Sequence, residues 1–371
     1  MHSAKYKLLF IHNSLPEYRL EFWRELGKIL DVEILITNKL LARDVYGFDY
    51  DTSALSVSYF YDIAERFNIE SYLTQYDAVI LPPVDSFYDF RIAVKFASYC
   101  KKKCIPYYYW SEKWEPSKNE QPFMKKIKNY IHGYMIKFAS KKCTSYLASG
   151  TKVKEYLLSL GIRDKNISIA YDSSISPQPE ALVNIREKYS IPKDSLIILY
   201  LGRLISRKGC KFLIQAFKKI NINQCYLLIA GTGEQEIELQ HLSKGMTNVL
   251  FCGKIQPSER KNYYLQSNVF VLPSIVEKGV IEAWGLTLNE ALECGTPIIT
   301  TYAVGAGYDL IDNNVGFQIE PGNVEALCKA LNASLCGCFD RQKCKERYEI
   351  FSVPKMARQF ADVIINGINK V

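Results

Sequence analysis

Short apolar runs rich in β-branched and aromatic residues alternate with stretches of helical apolar spacing through most of the chain. In the first half the runs Tyr6–His12, Asp31–Thr37, Ala78–Pro82, Cys104–Trp110, Thr144–Ala148 and Ile167–Tyr171 read as strands. The pattern restarts with Leu196–Leu201, Cys225–Ala230, Val249–Cys252, Val269–Pro273 and Pro297–Thr300. Strands that alternate with helices imply βα units, parallel sheets and right-handed crossovers. Between the two series lies the polar stretch Asp172-Ser173-Ser174-Ile175-Ser176-Pro177-Gln178-Pro179, whose composition is that of a linker. The expected division is therefore an N-terminal domain over 1–177 and a C-terminal domain over 178–350, followed by a tail over 351–371. From Ser352 to about Asn366 the residues Met356, Phe360, Val363 and Ile364 share one helical face, ready to pack on either half.

A length of 371 residues agrees with that division, because one core rarely grows beyond about 250–300 residues. Two domains imply a cleft between them. With 48% hydrophobic and 23% charged residues the composition is that of a folded chain, not a disordered or fibrous one. No stretch reaches the roughly 18 unbroken apolar residues of a membrane span, and the polar start Met1-His2-Ser3-Ala4-Lys5 leads into a strand, so a cytoplasmic protein is expected. Eleven cysteines are too few for a disulfide scaffold at this length and many sit in apolar runs, as Cys225 and Cys252 do. Neither Cys100 with Cys104 nor Cys336-Gly337-Cys338 with Cys344 has the paired spacing of a zinc site, so no metal is expected and the thiols read as buried and free.

The net charge of +8 is concentrated in residues 101–142, which hold 11 Lys against 3 Glu and leave 36 charges of each sign elsewhere. Phe123, Ile127, Tyr130, Tyr134 and Phe138 recur there at spacings of three and four, among Lys125, Lys126, Lys128, Lys137, Lys141 and Lys142. Such a helix suits an anionic membrane surface over 123–142, and equally suits a helix that covers its sheet with the apolar stripe and leaves the lysines solvated. No nucleic-acid motif accompanies the charge, so nucleic acid is not an expected partner.

In parallel α/β sheets ligands bind beyond the carboxyl ends of the strands. After Leu196–Leu201 comes Gly202-Arg203-Leu204-Ile205-Ser206-Arg207-Lys208-Gly209, with Arg203 at the strand end and Lys208 just before a helix. Two such cations form a pyrophosphate clamp, or else a solvated basic turn. Gly231-Thr232-Gly233-Glu234 lacks the third glycine of a dinucleotide fingerprint and reads as a tight strand-to-helix turn. Phe251-Cys252-Gly253-Lys254-Ile255 would let the backbone at Ile255 meet a flat base. The most specific loop runs from Leu272-Pro273-Ser274 to Glu282-Ala283-Trp284-Gly285-Leu286-Thr287-Leu288-Asn289-Glu290. It places Glu282 in a loop and Glu290 in a helix starting near Leu286, whose first N–H groups, from Gly285, Leu286 and Thr287, suit a phosphate. Two carboxylates beside a phosphate site need a neutral partner, and sugar hydroxyls are one.

The stretch from Tyr200 to about Leu331 resembles the donor domain of the family-4 retaining glycosyltransferases, which have the GT-B fold. The resemblance rests on Gly202 to Gly209, Gly231 with Gly233, Phe251 with Gly253, Leu272 to Ser274, Glu282 to Ala291 and Gly295 to Ile299, in that order. It implies two Rossmann-like domains with parallel sheets facing across a cleft and a C-terminal helix crossing back onto the first domain. It implies that Arg203 and Lys208 bind pyrophosphate and that Glu290 holds the ribose hydroxyls. Glu282, with the backbone from Ala283 through Trp284, Gly285 and Leu286 to Thr287, would hold the sugar and distal phosphate, and Ile255 would meet the base. It also implies a metal-independent, retaining transferase without a cofactor, taking a nucleoside-diphosphate sugar to a glycan or lipid-linked acceptor in cell-surface polysaccharide assembly. Arg203, Lys208 and Glu282 are then the catalytic candidates, and Asp49-Tyr50-Asp51 is a surface turn, not a metal motif.

The first half departs from the family pattern. It has His12-Asn13-Ser14-Leu15-Pro16 where a glycine-rich turn is common, and Trp110-Ser111-Glu112 where a histidine is common. Acceptor-side roles fall to Asn13, Arg19, Trp110 and Glu112, each of which also suits capping or packing, and His12 reads as a core histidine. The rival readings are a sugar-nucleotide epimerase or inverting transferase of the same fold, and a nucleotide-binding scaffold without catalysis; the latter has no need of both cations and both carboxylates.

Overall fold

A computed structural model describes residues 5–38, 51–60, 68–179, 181–222 and 224–370. Asp49 and Tyr50 of the acidic triplet, like Met1-His2-Ser3-Ala4, lie outside the described residues. The chain forms two compact units. One holds the described residues up to Trp114, then Phe123–Ser173 and the chain from Val353 onward; the other holds Glu115–Pro122 and Ser174–Ser352.

The first unit is built on seven parallel strands: β1 Lys7–His12, β2 Asp31–Ile36, β3 Ser56–Tyr59, β4 Ala78–Leu81, β5 Tyr107–Ser111, β6 Ser145–Ala148 and β7 Ile167–Ile169. Their order is β3-β2-β1-β4-β5-β6-β7. The chain starts in the middle at β1, builds outward to β3, then returns to β4 and builds the other way, so β1 and β4 are neighbours whose connections diverge. Their register pairs Leu8 with Ala78 and Phe10 with Ile80. All of β4 and most of β1 are buried, as expected for strands covered on both faces.

The helix Val353–Ile368 closes this unit. Phe360 packs against Phe22 at 4.8 Å between ring centroids and Trp110 at 5.3 Å, and the Tyr108 hydroxyl donates to the Ile364 carbonyl at 3.0 Å. Its buried residues, Met356, Ala357, Phe360, Ala361 and Ile364, recur at three and four, the spacing that puts side chains on one face.

The second unit repeats the plan with β8 Leu196–Leu201, β9 Cys225–Ala230, β10 Val249–Gly253, β11 Val269–Leu272, β12 Ile298–Thr301 and β13 Gly316–Ile319. All run parallel in the order β10-β9-β8-β11-β12-β13. The reversal now falls between β8 and β11, which pair Ile198 with Val269. Its core gathers Ile198, Leu213, Leu227, Val271 and Leu331, all fully buried or nearly so.

Strands β3 and β13 were not among the expected ones. Both are edge strands with half-buried faces, and Ser-Val-Ser-Tyr and Gly-Phe-Gln-Ile carry no apolar run to mark them. The supposed linker also differs from its composition, because Asp172, Ser173, Ser174 and Ser176 are each at most 1% exposed. Buried polar groups need partners, and within the second unit Ser174 donates to Glu290 at 3.2 Å while the Ser176 N–H reaches Glu293 at 3.2 Å. These bonds place the change of unit after Ser173, ahead of the Pro177–Pro179 stretch where composition shifts.

The lysine-rich segment forms the helix Phe123–Ala139. Its apolar stripe does not cover the sheet: Phe123 is 74% exposed, Tyr130 80% and Tyr134 62%. The buried face is instead Asn129, Gly133, Met135, Ile136 and Ala139, and a side chain on Gly133 would crowd Leu160. All eleven thiols are free, and Cys104, Cys336 and Cys338 are exposed, contrary to an expectation of buried cysteines throughout.

Candidate functional site

In the second unit the loops after β8 and β11 leave neighbouring strands in opposite directions, which opens the edge where doubly wound sheets take ligands. Gly202 caps β8, its N–H bonded to the Ala230 carbonyl at 2.9 Å. Arg203 is exposed, while its carbonyl accepts from the Tyr200 hydroxyl at 2.8 Å. The chain then makes a 3₁₀ turn over Ser206–Lys208 and passes into the helix Cys210–Phe217 through Gly209, at φ +69°. A Cβ on Gly209 would overlap the Pro273 carbonyl oxygen, so only glycine lets the turn press against the loop after β11.

That contact sets the charged groups. The Ile275 N–H donates to the Arg207 carbonyl at 2.8 Å, and the Glu282 Oε2 atom receives both Lys208 Nζ at 2.7 Å and Arg207 Nη1 at 2.8 Å. Burial pushes the Glu282 carboxyl up, but Lys208 and Arg207 outweigh it and hold the group below its ordinary range, hence ionised. The backbone of Glu282 is tied to the loop after β12, its N–H to Ala303 at 3.0 Å and its carbonyl to the Gly305 N–H at 3.1 Å.

Residues 283–287 are equally constrained. Ala283 is exposed, whereas Trp284 is buried with its indole N–H on Asn289 at 2.9 Å. Gly285 takes φ +104°, and a Cβ there would meet Val304 at 2.8 Å and Leu272 at 2.9 Å. Leu286 and Thr287 are half-buried and head the helix Thr287–Glu293. Among the described residues the N–H groups of Gly285, Leu286 and Thr287 have no hydrogen-bond acceptor, as expected for a helix start.

Glu290 lies in that helix, 3% exposed. It accepts from the Tyr264 hydroxyl at 2.9 Å and from Ser174, and Arg260 stands 3.9 Å away. Burial dominates over these partners and raises its pKa above the ordinary value. Glu282 thus sits with Lys208, and Glu290 with Tyr264, Ser174 and Arg260. Ile255, just past β10, is buried. Gly231 and Gly233 form the tight turn expected of them, since a Cβ on either would overlap the 202–204 backbone. Arg207, Tyr264 and Ser174 were not singled out from sequence. Arg207 stood next to Lys208 in the basic turn, but Tyr264 and Ser174 carry no local signal, since only the tertiary fold brings them to Glu290.

In the first unit the corresponding edge joins the loops after β1 and β4, where Asn13 Nδ2 donates to Asp85 at 3.0 Å. Arg19 is 1% exposed. Its guanidinium forms ion pairs with Glu112 and Asp172, including a 2.8 Å bond to Asp172 Oδ2, and lies 4.6 Å from the Trp110 ring centroid. Two carboxylates share this one cation, and burial, with Asp172 adding repulsion, holds Glu112 above its ordinary range. Asn13, Trp110 and Arg19 are all enclosed, and of the four acceptor-side candidates Glu112 keeps the most open side chain, at 37%. His12 is buried beside the Ser14 carbonyl at 2.8 Å, and burial lowers its pKa to about 4. Among the described residues no group of three or more His, Cys, Asp or Glu side chains could hold a metal ion.

Comparison with known proteins bears on this arrangement. The chain is 27% identical over 163 residues to the GDP-mannose-dependent alpha-(1-6)-phosphatidylinositol monomannoside mannosyltransferase of Mycolicibacterium smegmatis, covering 42% of each chain. It is 23% identical over 211 residues to the lipopolysaccharide 1,2-N-acetylglucosaminetransferase of Salmonella typhimurium, covering 50% of this chain and 52% of that one. The chain spans about half the length of the curated relatives it matches. As a fold it is similar along 97% of its length to the whole of Anabaena HepE, solved in complex with UDP, with a TM-score of 0.72 at 14% identity. Its two parallel-sheet units thus have the GT-B fold, and residues 183–348, which contain every charged group of the second-unit site, match the family described as glycosyl transferases group 1.

Proposed function

We propose that this protein is a glycosyltransferase that moves a sugar from a nucleoside diphosphate to a glycan or lipid-linked acceptor in cell-surface polysaccharide assembly, with retention of configuration and without a metal. The observation that carries the reading is Glu282 held ionised by Lys208 at the switch point of the second sheet, with Arg203 exposed at the end of β8. Arg203 and Lys208 take the diphosphate, Glu282 and the 283–287 backbone take the sugar and distal phosphate, Glu290 takes the ribose, and the backbone at Ile255 faces the base.

In the transfer the bond from the anomeric carbon to the phosphate oxygen breaks as a bond forms to the acceptor hydroxyl oxygen. The acceptor proton passes to the departing phosphate oxygen, on the face where the new bond forms, which keeps the configuration. Arg203 and Lys208 stabilise the charge that develops on the diphosphate, the work a metal does in other transferases. On the acceptor side Glu112, the most open of the four candidates, faces the acceptor, Arg19 against Trp110 holds it, and Asn13 lines the same side from the loop after β1.

The helix Phe123–Ala139 supports a peripheral membrane location on the cytoplasmic face. Its exposed Phe123, Met124, Tyr130 and Tyr134 are flanked by the exposed Lys126, Lys128 and Lys137. An aromatic face bordered by cations suits the boundary of an anionic bilayer. Among the described residues no helix is long and apolar enough to cross a membrane.

The test is thermal shift with UDP, GDP, UDP-glucose and GDP-mannose, followed by product analysis with the stabilising sugar nucleotide. One of these is expected to raise Tm in the parent and not in Lys208→Ala, because a ligand that binds only the folded state stabilises it by mass action. No shift with any nucleotide would remove the donor-site reading.

A further inference from the structure

We propose that Arg207 is a positioning residue that keeps Glu282 in place when Lys208 turns from that carboxylate to the diphosphate. The inference rests on the donor-site reading above and extends it to a residue outside the proposed ligand contacts.

Arg207 and Lys208 donate to the same atom, Oε2 of Glu282, at 2.8 and 2.7 Å. Their attachments differ. Lys208 has Glu282 as its one side-chain partner among the described residues, and its ammonium rides on a flexible four-carbon stem. Arg207 is fixed at three points on the loop after β11: its carbonyl accepts from the Ile275 N–H at 2.8 Å, and its Nη1 donates to the Ile281 carbonyl at 3.2 Å as well as to Glu282. Lys208 is free to move to a ligand, and Arg207 is not.

Charge explains why both are needed. Once Lys208 moves to phosphate, Glu282 without Arg207 would stand as an uncompensated, half-buried anion next to phosphate oxygens, and it would turn away or take up a proton. With Arg207 in place it stays ionised and oriented to accept from a sugar hydroxyl.

The experiment compares Arg207→Ala, Arg207→Lys, Lys208→Ala, Glu282→Gln and the double variant Arg207→Ala/Glu282→Gln, each first checked for an unchanged fold by circular dichroism. Calorimetry gives affinities for UDP or GDP and for UDP-glucose or GDP-mannose; kinetics give kcat and donor KM. Arg207→Ala is expected to leave the bare diphosphate affinity within about threefold of the parent, to abolish the extra affinity conferred by the sugar, and to lower kcat by about tenfold to a hundredfold, the scale of a misplaced reacting geometry. Arg207→Lys is expected to recover part of this. The double variant is expected to be no worse than Glu282→Gln, because a residue acting through another loses nothing once that other is gone.

A loss of diphosphate affinity in Arg207→Ala as large as in Lys208→Ala, or additive losses in the double variant, would overturn the proposal. Arg207 variants indistinguishable from the parent while Lys208→Ala and Glu282→Gln are impaired would also overturn it and leave the donor site standing. Parent-like behaviour of Lys208→Ala and Glu282→Gln would instead remove the donor-site reading, and this inference with it.

Discussion

Lys208 Nζ stands 2.7 Å from Glu282 Oε2, and the two side chains keep only 13% and 17% of their exposure. An ion pair this enclosed, at the edge where a parallel sheet takes its ligand, holds a cation ready for an incoming anion. Lys208→Ala, and independently Arg203→Ala, are expected to lower turnover by about tenfold to a thousandfold, the range for removing one charge-stabilising group. Steady-state kinetics with the donor found by thermal shift check this, and near-parental rates in both variants would contradict the assignment.

The two carboxylates are expected to part company. Glu290→Ala should chiefly weaken nucleotide binding, and Glu282→Ala should spare the bare diphosphate while reducing transfer. Glu290→Ala should also destabilise the fold, because the buried Tyr264 hydroxyl loses its acceptor, a loss of about 1–3 kcal/mol. Calorimetry on both variants with UDP and GDP, together with product assays, decides the roles; a reversed pattern would exchange them.

How much of this was legible in the chain depends on what each element needs. Strands buried on both faces, such as Ala78–Leu81 and Val269–Leu272, announce themselves as apolar runs, and the motif spacing from Gly202 to Glu290 pointed to the loops that the second sheet brings to one edge. Three things were not legible. Edge strands β3 and β13 lack an apolar run. The polar Asp172–Ser176 stretch looks like a solvated linker until its partners, 153 residues from Asp172 in the case of Arg19, are known. And a 3.6-residue apolar stripe does not say which face is buried: in Phe123–Ala139 the small residues Gly133 and Ala139 pack inward, and the aromatic residues face out.

That outward face predicts membrane behaviour. The protein is expected to sediment with vesicles containing an anionic phospholipid at low salt and to release at high salt. Changing Lys125, Lys126 and Lys128 to Glu is expected to abolish binding, since each lysine near an anionic surface contributes about 1 kcal/mol. In the otherwise unchanged chain Tyr130→Ser should weaken binding without changing the melting temperature, because that ring is 80% exposed. Binding indifferent to salt and to those charges would remove electrostatic docking.

His12 predicts a pH dependence of stability. Its folded pKa, about 4, lies below its ordinary 6.5 because burial disfavours the charged ring, with the nearby Arg19 acting in the same direction against the Ser14 carbonyl. A lowered histidine pKa means that the unfolded chain binds the proton more readily. The stability from a neutral His12 is thus fully present above about pH 6.5 and lost as pH falls from there towards about 4. Denaturant melts at pH 7 and pH 5 should show the parent losing on the order of 1–2 kcal/mol more than His12→Gln. Equal losses in the two proteins would show that His12 does not titrate in this window.

The buried trio around Arg19 yields the strongest stability prediction. Arg19 and Asp172 are each 1% exposed, and the guanidinium is enclosed by Asp172, Glu112 and the face of Trp110. Taking charges out of water is costly, and what remains when one partner is deleted is an uncompensated buried ion. Arg19→Met keeps most of the side-chain volume but strands Asp172, so a loss of about 3–5 kcal/mol is expected. In Arg19→Met/Asp172→Asn the stranded charge is removed as well, and much of the loss should return. The comparison separates charge from packing, since both variants carry the same methionine against Trp110. Urea melts of the parent, the single and the double variant decide it: a double variant as unstable as the single one would mean that Arg19 matters for its packing against Trp110, and not for the charge it neutralises.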